Sequence, residues 1–230
     1  MRKDRVTRSA TRSEVRAATG GGSVRGVRGG VLGGVVGPVA FVAAWLGAGL
    51  ATGGYSAVEG AISDLAAVGA PHRGLMTLGF VVFGVAVPIY GLALRRVLPG
   101  WSWLAAVVCG VATLGVAAVP LGRGTDGLHG AFAGLGYVAL TLVPALAAPQ
   151  FRRAGHLRWW VGSCTLAVIA GLSLLATTVG PAHGAFQRLG LTAGDAFLVA
   201  SAVAVLRSAG VVEGSDDGHL VWLRPLTRRP

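Results

Sequence analysis

The amino-acid sequence predicts an all-α, polytopic membrane protein: six transmembrane helices forming three pseudo-repeated hairpins, with a short interfacial helix on the outer side. Three observations carry that expectation. The chain of 230 residues is 53% hydrophobic and only 13% charged, with mean hydropathy +0.66. Its charged residues are bunched between long apolar runs. And one eight-residue word that begins with histidine returns at regular distances along the chain.

Six runs approach or reach the ~20 apolar residues that span a bilayer: 31–50, 74–94, 101–121, 128–148, 157–179 and 184–206. Each reads as one helix, because lipid offers no partner to an unpaired backbone. The chain then divides into a disordered basic cytoplasmic tail (1–30), a six-helix transmembrane domain (31–207) and a cytoplasmic C-terminal tail (208–230). The lead before the first run is long for a signal peptide and five more runs follow, so that run reads as a retained anchor.

The tails, together with Arg207 at the edge of the last run, and the turns near 95–100 and 149–158 hold 17 of the 20 basic residues, whereas the opposite loops hold only Arg73, Arg123 and Arg188. The positive-inside rule then places both termini in the cytoplasm of a plasma-membrane protein. The net charge of +11 is mostly this topology signal. The tail "MRKDRVTRSATRSEVR" has no folded basic face with aromatics, so nucleic acid is not an expected partner, and anionic membrane lipid is. The two cysteines, Cys109 and Cys164, fall inside spans and read as small packing residues with no disulfide or zinc pattern.

The first outer loop, "YSAVEGAISDLAAVGAP", carries helix punctuation. Ser56 and Glu59 form a capping box, Gly69 and Pro71 supply a stop, and Val58, Ile62 and Leu65 share a face. A short helix over the mouth of the bundle follows. The box accounts for Ser56 and Glu59; Ser63 and Asp64 are either solvent-facing or directed into a cavity.

The second, fourth and sixth runs open with the repeated word: "HRGLMTLG" at His72, "HGAFAGLG" at His129 and "HGAFQRLG" at His183, all His-x5-Leu-Gly. Each is followed 23 or 24 residues on by arginine: Arg95 and Arg96, Arg152 and Arg153, and Arg207. That distance is about 36 Å of helix, a little more than the hydrocarbon thickness. The pattern predicts three like-oriented hairpins about a pseudo-threefold axis along the membrane normal.

Such an axis would bring His72, His129 and His183 to equivalent outer positions. Three histidines with an open position make a catalytic zinc shell, with Asp126 or Asp64 as fourth ligand or support. Interfacial or capping histidines are the plainer reading, because a histidine at headgroup depth costs little. On the sixth run Arg188, Thr192 and Asp195 stand at steps of four and three and form one stripe. Asp195 is about 18 Å below His183, near the midplane, where a carboxylate costs about 2.5–3.5 kcal/mol and should face the interior. It is either a polar clamp between hairpins or a ligand or proton site, and Arg188 could pair with Asp64 or Asp126.

Over about residues 31–207, in the six spans, the "YSAVEGAISDLAAVGAP" loop, the "TDGLHG" turn and the "HGAFQRLG" word, the chain resembles the bacterial multi-pass family known as domain of unknown function 998. The resemblance implies an integral membrane protein without an established activity and transfers no catalytic residues. A weaker likeness is to the ceramidase and adiponectin-receptor type of membrane hydrolase, whose Ser, Asp and three His would correspond to Ser63, Asp64 or Asp126, and the outer histidines. The chain has six spans instead of seven and lacks the paired His-x3-His on the last.

The expected function is binding or passage of a small or lipid-like molecule at an outward-facing polar pocket of Ser63, Asp64, Asp126, His129, His183, Arg188, Thr192 and Asp195, with no resident cofactor. The alternatives are a zinc-dependent lipid amidase or esterase working through metal-bound water, and a non-catalytic membrane scaffold.

Overall fold

The computed structural model describes residues 26–209. The expected tails fall almost wholly outside the described residues; of the first only 26–30 is included, and there the chain is already helical. Among the described residues are six helices: α1 (Gly33–Ala51, with a helical lead from Gly26), α2 (Arg73–Leu94), α3 (Ser102–Ala118), α4 (Asp126–Arg153), α5 (Leu157–Ala176) and α6 (His183–Ala209). A five-residue 3-10 turn, η1 (Ile62–Ala66), lies between α1 and α2. Five of the helices are long and apolar enough to cross a membrane, so this is a helical, multi-pass membrane protein. The exception is α3, at 17 residues, which spans about 25 Å. It stops short of residue 121 because Val119 precedes Pro120, whose ring drives the preceding residue out of the helical region.

Helices adjacent in sequence pack on one another, and α6 closes the bundle by packing on both α1 and α4. Hence α1, α2, α3, α4 and α6 form a ring, and α5 lies against its outside in the groove between α4 and α6. Only Ser163, Ala170 and Ser173 of α5 are buried. Inside the ring, Phe41 stacks on Phe80 and Phe83 at centroid distances of 5.8 and 5.3 Å. Below them the Tyr90 hydroxyl meets Ser201 Oγ at 2.7 Å, so the largest buried polar side chain of α2 finds its partner on α6.

Small residues set the helix spacing. A Cβ added at Gly79 would lie 2.5 Å from Ala44 Cβ on α1, at Gly136 3.5 Å from Ala112 Cβ on α3, and at Gly190 2.9 Å from Ser173 Cβ on α5. Gly79 and Gly190 thus sit at close approaches that glycine permits between membrane helices, Gly190 chiefly against the Tyr137 hydroxyl of α4, whereas Gly136 makes ordinary contact. At the other end of the bundle, the Arg95 guanidinium lies 4.8 Å from the Trp103 ring and Arg152 lies 5.2 Å from Trp160. These cation–π pairs have the same eight-residue offset.

The segment before α2 departs from expectation. Instead of a helix from Ser56 to Gly69 it forms turns followed by η1. Ser56 Oγ accepts the Glu59 N–H at 3.3 Å, which is half of the expected capping box. Ile62 and Leu65 are buried as expected, but Val58 is 54% exposed. The physical reason is competition for carbonyls: those of Ala57, Gly60 and Ala61 are taken by side chains of Arg188 and Tyr55, which leaves no continuous i to i+4 ladder to form.

Candidate functional site

The end of the bundle carrying the three histidines is closed by residues 53–72, which fold over the ring as a cap. Arg188 on α6 is its anchor. Its Nη1 donates to the carbonyl oxygens of Ala57 (2.8 Å), Gly60 (2.9 Å) and Gly184 (2.9 Å), and its Nη2 donates to the Tyr55 hydroxyl. The guanidinium also lies 5.3 Å from the Trp45 ring and 5.5 Å from the Tyr55 ring, so two aromatic faces offset part of the cost of burying a residue only 8% exposed. The partners are carbonyls and rings, whereas the sequence suggested Asp64 or Asp126. Arg188 Nε has no partner among the described residues.

Beside it, Gln187 Oε1 accepts the Ile62 N–H at 2.8 Å, and the Ala185 N–H donates to Val58 O at 2.9 Å. Tyr55 completes the cap by donating toward Ala61 O (2.8 Å) and Gly60 O (3.1 Å). Burial pushes its phenol above the ordinary value, against the pull of Arg188. Glycine is required at two points here: a Cβ on Gly60 would meet Tyr55 Cε2 at 2.6 Å, and one on Gly184 would collide with the Gly60 carbonyl oxygen.

The remaining sequence-predicted residues separate into local roles. Asp64 is exposed, and its Oδ2 accepts the Ala61 N–H at 2.8 Å, capping η1. Asp126 Oδ1 accepts the Gly122 N–H at 2.9 Å and closes the turn before α4. His129 is buried; its Nδ1 donates to Val119 O at 2.6 Å, and Nε2 has no partner among the described residues. His72 Nε2 donates to Ala51 O at 3.1 Å, and His183 is half-buried at the start of α6. Among the described residues no three His, Cys, Asp or Glu side chains gather closely enough to share an ion. The expected His72, His129 and His183 set is therefore not assembled: η1, packed on α1, α2 and α6, occupies the space above the ring, and two of the histidines are turned to backbone carbonyls.

Under the cap lies a cavity of about 60 Å³, against the ~10–15 Å³ that one water needs. Its walls are aromatic and aliphatic, with Phe41, Phe80, Phe83, Phe132, Tyr137 and Leu140 prominent. Ser63 and Gln187 line its cap side. Ser63 is 8% exposed, and among the described residues neither its hydroxyl nor the Gln187 amide nitrogen has a hydrogen-bond partner. This cavity brings together Ser63 and a residue the sequence reading missed, Gln187, beside the Arg188 anchor. The available signal was the difference between two words: "HGAFAGLG" and "HGAFQRLG" differ only where Ala133 and Gly134 give way to Gln187 and Arg188.

Asp195 belongs to neither cap nor cavity. It lines a second space, between α1 and α6, together with the exposed Thr192. Both its carboxyl oxygens are buried without a partner among the described residues, so the clamp between hairpins has no second jaw here. The single outward-facing pocket expected from Ser63 to Asp195 is thus divided into a cap, a cavity and a lateral groove.

No curated protein and no solved structure matches the chain. The family described as protein of unknown function DUF998 matches residues 35–204, a stretch that runs from the first ring helix through Arg188 and Asp195 to nearly the end of α6. The chain belongs to the DUF998 family, a family of proteins of unknown function.

Proposed function

We propose that the protein binds a small molecule of a few heavy atoms in the cavity beneath the cap, with its apolar part against Phe80, Phe83 and Phe132 and its polar part on Ser63 and Gln187. The observation that carries this reading is the pairing of an aromatic cavity with two polar groups on its cap side, the Ser63 hydroxyl and the Gln187 amide nitrogen, that are unpartnered among the described residues. Binding sites for small molecules have this makeup: apolar walls and a few directed polar groups. The proposal includes the arrangement expected from the sequence, with six crossings of the plasma membrane, both termini cytoplasmic, three repeated hairpins, and the cap outside. The like offset of the two arginine–tryptophan pairs supports the repeat.

Native mass spectrometry of the purified full-length chain tests the binding. The wild type should release a bound small molecule at about one per chain, and Ala133→Trp, which fills the cavity, should lose it while keeping its helical circular dichroism. A bound species retained by Ala133→Trp, or none in the wild type, would overturn the reading.

A further inference from the structure

The Gln187 amide stands at the cavity beneath the cap with one of its two ends already engaged. Its Oε1 accepts the Ile62 N–H at 2.8 Å. A backbone N–H can meet only the oxygen of an amide, so this bond fixes which end is which. The NH2 end remains as a donor, held beside the residue that follows Ile62, which is Ser63. Both side chains line the cavity. Neither the amide nitrogen nor the Ser63 hydroxyl has a partner among the described residues, and neither is sealed from contact as the Asp195 carboxyl oxygens are.

The other hydroxyls of the wall have acceptors. Thr113 Oγ1 donates to Cys109 O at 2.9 Å, and the Tyr137 hydroxyl is directed at the carbonyl oxygens of Phe186 and Gln187, each 3.4 Å away. No charged side chain lines the cavity among the described residues, so an ion would enter with nothing to offset its desolvation. On the cap side the hydrogens that lack an acceptor are those of the Gln187 amide and, by rotation, the Ser63 hydroxyl. A carbonyl oxygen suits that pair, because its two lone pairs lie in one plane and can accept from both. The volume of about 60 Å³, against ~10–15 Å³ for one water, admits roughly four to six heavy atoms.

Resting on the reading of this cavity as a ligand site, we propose that its ligand is a compact, uncharged carbonyl compound. Its oxygen accepts from the Gln187 N–H and the Ser63 O–H, and its alkyl groups lie against Phe80, Phe83 and Phe132.

The test compares butanone with 2-methyl-1-butene, which share one heavy-atom skeleton and differ in carrying oxygen or methylene at a single position. The full-length chain in phosphatidylcholine nanodiscs is titrated with each, and binding is read from the methyl resonances of Leu140 and Leu191 in the cavity wall. The methyls of Leu172 and Leu175, 62% and 65% exposed on α5, report probe that is merely dissolved in lipid. At equal concentration in the bilayer, butanone should bind about tenfold more tightly than the alkene, the discrimination of one good buried hydrogen bond. Gln187→Met should bring the ratio close to one with the alkene still bound, and Ser63→Ala should lower it about threefold. Equal binding of the two probes to the wild type, tighter binding of 2-butanol than of butanone, or a ratio unchanged in both variants would overturn the proposal and leave the cavity a ligand site. If neither probe moved the Leu140 and Leu191 signals, the reading of the cavity as a ligand site would fail, and the proposal with it.

Discussion

Arg188→Ala offers the most direct test of how the cap is held. Three of the side chain's hydrogen bonds cross from α6 to the cap, to Ala57 O, Gly60 O and the Tyr55 hydroxyl. Each charge-assisted bond is worth roughly 1.5–3 kcal/mol, and burying the guanidinium returns several kcal/mol of that. The net loss should be about 3 kcal/mol, or roughly a hundredfold in the opening equilibrium of the cap. Amide hydrogen exchange reads this directly at two bonds that join cap to ring, Ile62 N–H to Gln187 Oε1 and Ala185 N–H to Val58 O. Both amides should exchange about a hundredfold faster in the variant, while amides in the middle of α3 and α4 stay as they were. Arg188→Lys should fall between, since an ammonium cannot reach three acceptors in a fork. Exchange at Ile62 and Ala185 unchanged within about threefold would refute the view of Arg188 as the anchor.

Gly190→Ala should destabilise the bundle by about 1–3 kcal/mol, because the new methyl would collide with the Tyr137 hydroxyl; a thermal melt in detergent checks it, and Tyr137→Leu should restore part of the loss. The Tyr55 phenol, raised by burial, should ionise above the range of an exposed tyrosine, read as the tyrosinate absorbance difference between wild type and Tyr55→Phe. The phenol resists ionisation in the folded state, so its contribution to cap stability is complete below the ordinary tyrosine value and falls as pH rises through the raised one; a difference spectrum developing at the ordinary value would contradict this. With Cys109 and Cys164 replaced by alanine, Arg123→Cys and His183→Cys should react with an impermeant maleimide on intact cells, and Arg96→Cys and Arg153→Cys should not. The opposite pattern would put the cap on the cytoplasmic side.

The helices were legible in the sequence because lipid imposes a length and an apolar composition on every crossing, and these survive any detail of packing. The repeated word has no such uniform cause: its last glycine meets a close approach at Gly79 and Gly190 but only ordinary contact at Gly136. The burial of Asp195 also followed from the cost of a carboxylate on an apolar helix. What the sequence could not convey was which partner each polar group finds. Arg188 reads as half of an ion pair because carboxylates stand nearby in the chain, yet it satisfies backbone carbonyls of a loop more than 120 residues away. That same competition dissolved the helix expected after Ser56. The histidines share a level along their helices, but level does not fix direction, and His72 and His129 turn to the carbonyls of Ala51 and Val119.

The brevity of α3 has a consequence for the surrounding lipid. On the six-crossing arrangement, 17 helical residues must serve a hydrocarbon layer about 5 Å thicker than they can reach. The neighbouring α2 and α4, at 22 and 28 residues, have no such deficit. On that proposed arrangement acyl chains are compressed along the α3 flank. Such mismatch costs a fraction of a kcal/mol per ångström, enough to make the protein favour thin bilayer regions and turn its α3 side toward them. If α3 crosses as proposed, membrane thickness is a variable to which the molecule responds independently of any ligand.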